Sequence, residues 1–579
     1  MTLVLHGVPV SRGVAMGRVH LVRRDAVDID EYALKAHEVE AEVARFDAAV
    51  AAARQQLDEI RAEVPATARA NIVAFIDSHL LMLDDPVLTS DTRNAIRTQR
   101  CNAEWALKLQ AEAILAVFDE MQDAYLKTRR DDVQFVVDRI QRVLKNAQPA
   151  EQALERKTLT GSVIVADDLS PADTVLLDTE RVAAFATEYG GPTSHTAIIA
   201  RSLNLPGVVG LSELGRYVQS DDELIIDGET GVVLINPDPE IRAFYLRKQE
   251  QLLRYQTVLA DLTNKASVSL DGVAVTLNAN VELPSDYDSA RRYQAHGVGL
   301  YRTEFLYMNR TDGVPTEEEH YAAYAALIAK LKGRPVTIRT VDLGADKPLN
   351  PGAPQHAVNP ALGLRAIRLC LKSSELFRPQ VRAILRASAL GPVKLMIPML
   401  SSIQELEQTF EIIDALRAEL RAENEPFDPH MPVGGMVEVP AAAVCADAFA
   451  ARLDFLSIGT NDLIQYTMAI DRVDDQVSYL YDPLNLGVLR LIQTTIDAGL
   501  AVGIPVAMCG EMAGDPTFVR LLLGMGLREF SVHPNTLLEV KKLVRETDVG
   551  DVTAAVREAL SVPDPYRVRA LVERLNIGN

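Results

Sequence analysis

Hydrophobic residues follow a helical period between residues 28 and 145. They recur there at intervals of three and four, which is typical of helices with one buried face. One such run comprises Val39, Val43, Phe46 and Val50. Helix-breaking residues interrupt the region near residues 64–65, 84–86 and 99–102. The pattern therefore predicts several antiparallel helices joined by short turns, as in a helical bundle.

Strand-like segments lie on both sides of this bundle. Residues 7–22 carry repeated glycines and end in an alternating run, and short apolar runs return after residue 149. Those later runs are residues 162–166, 183–186, 223–228 and 231–236, of which the last two are separated by a glycine-bounded turn typical of a hairpin. We expect one α/β unit that takes in the amino-terminal strands, which makes the bundle an insertion. Residues 239–262 are charged and predict a linker helix.

Eight short apolar runs alternate with helix-like segments in the last 300 or so residues. They are residues 275–277, 297–301, 336–338, 395–397, 436–437, 455–458, 506–508 and 529–532. Eight strands alternating with helices over about 300 residues is the pattern of a (β/α)8 barrel. In such barrels the chemistry lies at the carboxyl ends of the strands.

Polar residues follow these predicted strands and indicate an anion site. They are Asn280, Arg302, Arg339, Glu438, Asn461, Asp462, Arg472 and Cys509. Guanidinium groups bind phosphate and carboxylate through paired hydrogen bonds, and carboxylates are ligands that Mg²⁺ accepts beside substrate phosphate. Lys347 and Arg365 would add positive charge. The alternative is that these charges pair among themselves and only stabilise the barrel.

Cys509 also has two interpretations. A free thiol at a strand end often packs as a small buried hydrophobe. If it faces the anion site, it is placed to act as a general acid.

His195 lies in a glycine-rich turn that leads into an apolar helix. Gly190 and Gly191 permit a tight turn, and Thr193 or Ser194 can cap the helix that follows. An imidazole in the first helical turn is near unpaired backbone N–H groups that favour phosphate. The alternative is an ordinary histidine at a helix start.

Composition narrows the class of partner. The chain has 579 residues and a formal net charge of −21, which disfavours nucleic acid or an anionic membrane and favours a basic protein partner. The first residues lack a signal-peptide pattern, and no apolar run approaches membrane-spanning length, so we expect a cytoplasmic protein. The four cysteines are far apart, and we expect free thiols without zinc or disulfides.

Several motifs together resemble enzyme I of the bacterial phosphoenolpyruvate-dependent sugar phosphotransferase system, over essentially the whole chain. The motifs are residues 190–201, 299–306, 338–340, 438–441, 457–463, 471–472 and 509–515. The resemblance implies an α/β multidomain protein: a swivelling phosphohistidine α/β domain with an inserted helical bundle, followed by a (β/α)8 TIM barrel. The expected boundaries are residues 1–25 and 149–237 for the phosphohistidine domain, 26–148 for the insertion, 238–263 for the linker helix and 264–579 for the barrel.

The resemblance also implies a role for each residue of the barrel site. Arg302, Arg339 and Arg472 would hold phosphoenolpyruvate, and Asn461 would contact its phosphate. Glu438 and Asp462 would bind Mg²⁺. Cys509 would protonate the enolate carbon as pyruvate forms.

His195 would be the phosphorylated residue. Ser170 stands where the family commonly has threonine, and it keeps a hydroxyl that can hydrogen-bond the imidazole. Pro192 stands where the family often has arginine, which removes a positive charge beside the phosphohistidine.

The implied protein partners are the small histidine carrier HPr and a second copy of the chain, bound through the barrel. Residues 75–85 resemble the segment that docks HPr, although an amphipathic core helix with an acidic end fits them equally well. Two other functions remain open. A dikinase or phosphoenolpyruvate synthase would need a nucleotide-binding domain, but the sequence shows no glycine-rich ATP-binding loop. A non-catalytic HPr-binding scaffold would not need the site residues, and in this sequence they are intact.

Overall fold

The computed structural model describes most of the chain in two compact units. The described residues are 2–22, 29–63, 69–120, 124–145, 160–168, 182–191, 205–282, 286–307, 313–343, 361–471 and 477–577. The first unit is Met1–Tyr255 and the second is Gln256–Asn579.

The first unit contains an eight-stranded sheet. Its strands are β1 (Leu3–His6), β2 (Val8–Ser11), β3 (Val14–Val22), β4 (Ser162–Ala166), β5 (Val182–Thr187), β6 (Gly207–Val209), β7 (Glu223–Asp227) and β8 (Val232–Ile235). The order across the sheet is β1-β8-β7-β3-β4-β5-β6-β2, with β3 to β6 parallel and the other pairs antiparallel. Strands from both sides of the predicted bundle therefore share one sheet, as we expected.

The β7–β8 connection is the predicted hairpin. Asp227 pairs with Val232 across the turn, and Gly231 has a φ of +73°. A Cβ at Gly231 would lie 2.4 Å from the backbone oxygen of Gly7. Glycine is needed at this position both for the left-handed backbone and for the close approach of Gly7, which lies between β1 and β2.

Between β3 and β4, the described residues form five helices. They are α1 (Val39–Glu63), α2 (Arg69–Asp84), α3 (Pro86–Gln99), α4 (Ala103–Glu120) and α5 (Ala124–Leu144). The expected breaks coincide with the ends of α1, α2 and α3, and Asp85 caps α3 by accepting a hydrogen bond from the Val87 N–H at 2.8 Å. Phe46, Ile96 and Ile140 are fully buried in the core that these helices share.

The described residues that follow include two helices, α6 (Leu214–Tyr217) and α7 (Pro239–Ala260). The first half of α7 packs Ile241 and Tyr245 against an apolar patch of the sheet. Lys248 of α7 also bonds the buried Asp227 carboxylate at 2.7 Å. The predicted linker region is therefore helical.

The second unit is built on a closed barrel of eight parallel strands. They are β9 (Thr276–Val281), β10 (Val298–Tyr301), β11 (Val336–Arg339), β12 (Val393–Ile397), β13 (Val433–Val437), β14 (Phe455–Ile458), β15 (Val506–Met508) and β16 (Glu529–Val532). Each strand pairs with the next one in the sequence, and β16 closes the barrel on β9. Every predicted apolar run overlaps one of these strands, which confirms the (β/α)8 prediction.

Helices connect these strands and continue after the last one. They are α8 (Asp286–Arg292), α9 (Glu317–Leu331), α10 (Ala366–Lys372), α11 (Ser374–Ala387), α12 (Ile403–Glu423), α13 (Pro440–Val444), α14 (Ala446–Ala450), α15 (Thr460–Met468), α16 (Leu486–Val502), α17 (Glu511–Gly514), α18 (Pro516–Gly524), α19 (Leu537–Arg545), α20 (Val549–Leu560) and α21 (Pro565–Asn576). Within the described ranges, none of the helices combines the length and apolar character needed to span a bilayer.

Candidate active site at the barrel mouth

Arg339 ends β11 and is buried among carboxylates. Its Nη2 donates to Glu304 Oε1 at 3.0 Å, and its Nη1 lies 3.3 Å from Asp342 Oδ2. Burial alone would lower the pKa of Arg339, but Glu304 and Asp342 raise it above its ordinary value. The buried Nε has no hydrogen-bond partner among the described residues. Arg339 is therefore held as a cation with one donor still available.

Arg302 follows β10 and shows the same feature. Its Nη1 donates to Glu282 Oε1 at 2.7 Å, and the guanidinium is half exposed. The Arg302 Nε is nevertheless buried and lacks a partner within the described part of the chain. An unpaired buried donor carries a free-energy cost, which an anionic ligand would remove.

Asp342 connects Arg339 to a second cation. Its Oδ1 accepts from Arg365 Nη2 at 2.9 Å, while its Oδ2 faces Arg339. Burial would raise the pKa of Asp342, but Arg339 and Arg365 hold it below its usual range. Arg365 also donates to the Tyr466 hydroxyl at 3.3 Å. Arg365 is thus in the cluster, as predicted, whereas Asp342 and Glu304 were not singled out from the sequence.

Glu438 follows β13 and is almost completely buried. Its Oε1 accepts from the Met399 backbone N–H at 2.6 Å. Burial, then the charges of Asp462 and Asp342, raise the pKa of Glu438 to about 8. Repulsion from Asp462, in the first turn of α15, means that the two predicted ligands are near each other.

This carboxylate pair fits a divalent cation. Within the described ranges no group of three or more histidine, cysteine or acidic side chains is arranged to hold a metal. Mg²⁺ does not require such a cage, because it commonly binds one or two carboxylates and completes its shell with water and substrate phosphate. A cation would also offset the repulsion between Glu438 and Asp462.

Asn461 is already engaged by its neighbours. Its Nδ2 donates to Glu511 Oε1 at 2.9 Å, and its Oδ1 accepts from the Glu511 N–H, also at 2.9 Å. These bonds tie the start of α15 to the start of α17. A contact from Asn461 to phosphate stays a prediction, and it would use an Nδ2 hydrogen other than the one given to Glu511.

Cys509 follows β15 and is buried in an apolar cluster with Leu300, Met396, Met436 and Phe455. Its thiol donates to the Ile458 oxygen at 3.7 Å and accepts from the Ser457 hydroxyl at 3.3 Å. Burial raises the pKa of Cys509. The side chain is therefore a protonated thiol at neutral pH, as a general acid must be.

Asn280 differs from the expectation in its position on the strand. Strand β9 continues to Val281, so Asn280 lies within the strand and pairs with Leu300 of β10. It accepts from the Ser531 hydroxyl at 2.6 Å and donates to the Cys509 backbone oxygen at 3.0 Å. Parallel pairing on both sides extends the strand beyond its apolar run.

Some predicted residues lie outside the described ranges. They are His195, Ser170, Lys347 and Arg472, together with Pro192. Their roles stay predictions. The described residues that the structure brings together at the strand ends are Arg302, Arg339, Arg365, Glu438, Asp462, Asn461 and Cys509.

The predicted docking segment, residues 75–85, lies mostly in α2 and has two faces. Ile76 and Leu83 are buried in the bundle core, whereas Leu81 is 69% exposed. Asp77 pairs with Arg61 at 2.8 Å, and Asp84 pairs with Arg54. The segment thus combines a core face with an acidic, partly apolar surface.

Three family models match this chain, all of PEP-utilising enzymes. The N-terminal model matches residues 6–129, the mobile-domain model residues 159–231 and the PEP-binding-domain model residues 256–549.

The chain is also similar to named proteins over nearly its full length. It is 44% identical to the phosphoenolpyruvate-protein phosphotransferase of Cupriavidus necator, covering 99% of this chain and 100% of that protein. The protein of the same name from a Bacillus species is 40% identical, with 98% of each chain covered. A solution structure described as Enzyme I (nEIt) is 33% identical, with 43% of this chain and 99% of that chain covered and a TM-score of 0.38.

Proposed function

The chain belongs to the phosphoenolpyruvate-protein phosphotransferase family, the enzyme I family, and on this premise we propose which residues carry out its phosphoenolpyruvate-dependent phosphotransfer. His195 accepts the phosphoryl group and passes it to a histidine of HPr, which begins sugar uptake by the phosphotransferase system. The observation that carries the proposal is the pair of cations, Arg302 and Arg339, each of which has a buried donor at the barrel mouth with no partner among the residues that the structure describes.

The arginines bind the substrate through its charges. Phosphoenolpyruvate carries a phosphate and a carboxylate, and guanidinium groups match both by paired hydrogen bonds. Arg302 and Arg339 supply such donors, with Arg472 as a third and with Lys347 and Arg365 adding positive charge. Glu304 and Asp342 fix the Arg339 guanidinium before substrate arrives. That fixed geometry reduces the reorganisation required during the reaction.

Transfer to His195 is a substitution at phosphorus. A neutral ring nitrogen forms the P–N bond while the bridging P–O bond breaks, and the electron pair of that bond stays on the enolate oxygen. The step depends on charge neutralisation and alignment more than on covalent help from the protein. Ser170 orients the imidazole through a hydrogen bond, and Asn461 contacts the phosphate.

Cys509 completes the formation of pyruvate. The enolate carbon takes the thiol proton, the C–O bond becomes a carbonyl, and the S–H electron pair remains on sulfur. The buried, protonated thiol supports this role because a general acid must hold its proton until the enolate forms. Water then returns a proton to the thiolate.

Glu438 and Asp462 hold Mg²⁺, which when bound neutralises charge on the phosphate and the enolate oxygen. The Met399 N–H fixes one oxygen of Glu438. The repulsion between Glu438 and Asp462 is the feature that supports the assignment.

The wider assignments belong to the same proposal. HPr docks on the surface of residues 75–85, the protein acts in the cytoplasm, and it forms a homodimer through the barrel. The functional boundaries are residues 1–25 with 149–237, 26–148, 238–263 and 264–579.

A labelling experiment tests the proposed route. The protein is incubated with [³²P]phosphoenolpyruvate and Mg²⁺ without nucleotide, and purified HPr is then added. Acid-labile, base-stable label on the wild type that is absent from His195→Ala, and that moves to HPr, is the expected result.

The same experiment distinguishes the other two functions. A parallel incubation includes ATP: label that appears only there would indicate a dikinase or synthase, and no label in either incubation would indicate a scaffold. Label retained by His195→Ala would place the acceptor at another residue.

A further inference from the structure

Ser457 contacts the Cys509 thiol from the neighbouring strand. Ser457 lies in β14, and its hydroxyl donates to Cys509 Sγ at 3.3 Å. The two strands are paired from Leu456 to Ile458, and the Cys509 N–H donates to the Ile458 oxygen at 3.1 Å. Strand pairing therefore sets the distance between hydroxyl and sulfur. Both side chains are buried, at 2% and 5% exposure.

The backbone of Cys509 is held separately from the other side. Asn280 of β9 donates to the Cys509 oxygen at 3.0 Å, and Ser531 of β16 fixes Asn280 through a 2.6 Å hydrogen bond. The hydroxyl of Ser457 contacts the sulfur itself, whereas Asn280 holds only the backbone of Cys509.

The rest of the sulfur's environment combines apolar side chains with charged ones, of which Glu438 raises and Arg339 and Arg302 lower the pKa of the thiol. Leu300, Met396, Met436 and Phe455 form the cluster around Cys509. Among the described residues, the hydrogen bonds of the thiol are the one from Ser457 and the one to the Ile458 oxygen. A thiolate in such surroundings is costly unless a donor reaches it, and Ser457 supplies that donor.

We propose that Ser457 is a positioning residue for Cys509: its hydroxyl orients the thiol and stabilises the thiolate left when the thiol proton passes to the enolate carbon. This inference rests on the role proposed above for Cys509. In the step, the S–H bond breaks and the C–H bond forms. The Ser457 O–H donates to sulfur before and after the transfer and keeps its own proton. Burial raises the pKa of Cys509, and the hydrogen bond from Ser457 opposes that rise.

The test uses the full-length protein with Ser457→Ala, Ser457→Thr, Cys509→Ala and the double variant. Ser267→Ala is the matched control, because Ser267 is also a buried serine of the barrel unit and its hydroxyl has no partner among the described residues. We measure pyruvate formation with HPr present, and titrate the Cys509 thiol by NMR of ¹³Cβ-labelled cysteine, with Cys509→Ala assigning the signal.

Ser457→Ala should lower kcat by about 10- to 100-fold and change the KM for phosphoenolpyruvate by less than about twofold, because the hydrogen bond is stronger to the developing thiolate than to the neutral thiol and its loss therefore affects the transition state more than the ground state. The pKa of the Cys509 thiol should rise. Ser457→Thr should restore much of kcat, and Ser267→Ala should behave as the wild type. In the Cys509→Ala background, loss of the Ser457 hydroxyl should have no further effect.

Three results would count against the inference, and they separate its failure from that of the mechanism. Unchanged kcat and thiol pKa in Ser457→Ala, with Cys509→Ala impaired, would overturn the role of Ser457 alone. If Ser457→Ala lowered kcat by the same factor in the Cys509→Ala background as in the wild type, Ser457 would act through the fold and not through the thiol. Wild-type turnover by Cys509→Ala would remove the thiol from the reaction and the inference with it.

Discussion

Two partly buried arginine clusters in this chain differ in how completely their donors are satisfied. In the bundle, Arg45 of α1 uses every guanidinium nitrogen: Nε and Nη2 bond Glu42, Nη2 also bonds Glu104 at 2.6 Å, and Nη1 bonds the Leu144 oxygen at 3.0 Å. At the barrel mouth, Arg302 and Arg339 each leave a buried Nε without a partner among the described residues.

The difference separates a structural cluster from a binding site. The hydrogen bonds that Arg45 donates to Glu42 raise the pKa of Arg45, and the charges of Arg45, Glu42 and Glu104 are paired with one another. The barrel cluster instead combines unpaired donors with two carboxylates, Glu438 and Asp462, that repel each other. Where a site's own residues leave donors unpaired and charges unbalanced, binding of a ligand of complementary charge lowers the free energy.

The largest expected effect is on catalysis by Arg339→Lys. Lysine keeps the charge opposite Glu304 and Asp342 but lacks the planar fork, so the contacts to a dianionic substrate are lost. We expect kcat/KM for phosphoenolpyruvate to fall by about 100- to 1,000-fold, as for loss of one donor to a transition state. Steady-state pyruvate formation measures this, and activity within a few-fold of the wild type would contradict the assignment.

Arg302→Met should give the next largest effect. Because Arg302 is half exposed and pairs with an exposed carboxylate, we expect loss of kcat/KM of about 100-fold with little change in unfolding temperature. Arg569→Met is the matched control, since Arg569 is equally exposed and bonds Asp482 on the same unit. Equal losses of kcat/KM in both variants would mean that the loss comes from the change in net charge and not from the position of Arg302 at the barrel mouth.

Arg45→Met should have the opposite effect, which is a loss of stability without a loss of substrate binding. Removing Arg45 leaves the Glu42 and Glu104 carboxylates buried without their cation, and we expect a loss of about 2–3 kcal/mol in the free energy of unfolding of the bundle, allowing for partial solvent access. Hydrogen exchange over residues 39–144 measures that loss. The affinity for phosphoenolpyruvate, measured by calorimetry, should be unchanged. A weakened affinity would make the two clusters equivalent and contradict the comparison.

We expect the smallest effect, on stability alone, from a substitution at the ion pair of Asp227 and Lys248, whose charges also satisfy each other. Burial would raise the pKa of Asp227, but the bond from Lys248 holds it below its ordinary value of 3.8. The stabilisation is therefore complete above that value and is lost as the pH falls below it. Asp227→Asn should cost about 1 kcal/mol near pH 6 and less near pH 3, as measured by thermal unfolding. A cost that grows towards low pH would contradict this sign.

The strand pattern and the motifs were sufficient to predict the fold, because apolar runs and their spacing are local properties of the sequence. All eight barrel strands, the hairpin at β7–β8 and the helix ends near residues 63, 84 and 99 follow from such signals. The extent of β9 was underestimated, because the predicted apolar run ended at residue 277, whereas the alternating residues 278–281 that follow it also belong to the strand.

The partners within the site were harder to predict. Arg339 and Cys509 are recognisable at strand ends, but Asp342, Glu304 and Ser457 are defined by contacts that depend on how the strands register around the barrel. Asp342 follows Arg339 by three residues, and Glu304 lies within the motif of residues 299–306, so both were visible as carboxylates near a predicted site. The Met399 N–H could not be found from side-chain types, because it is a backbone group on a residue with a φ of +58°.

We propose that the barrel mouth binds phosphoenolpyruvate and that His195, a residue of the first unit, takes its phosphoryl group. The most direct test is the stoichiometry of pyruvate released in a rapid-quench experiment without HPr, alongside calorimetric binding of phosphoenolpyruvate. The wild type should release a burst of one pyruvate per chain, whereas His195→Ala should bind phosphoenolpyruvate with similar affinity and release none. A burst of equal size from His195→Ala would contradict the claim.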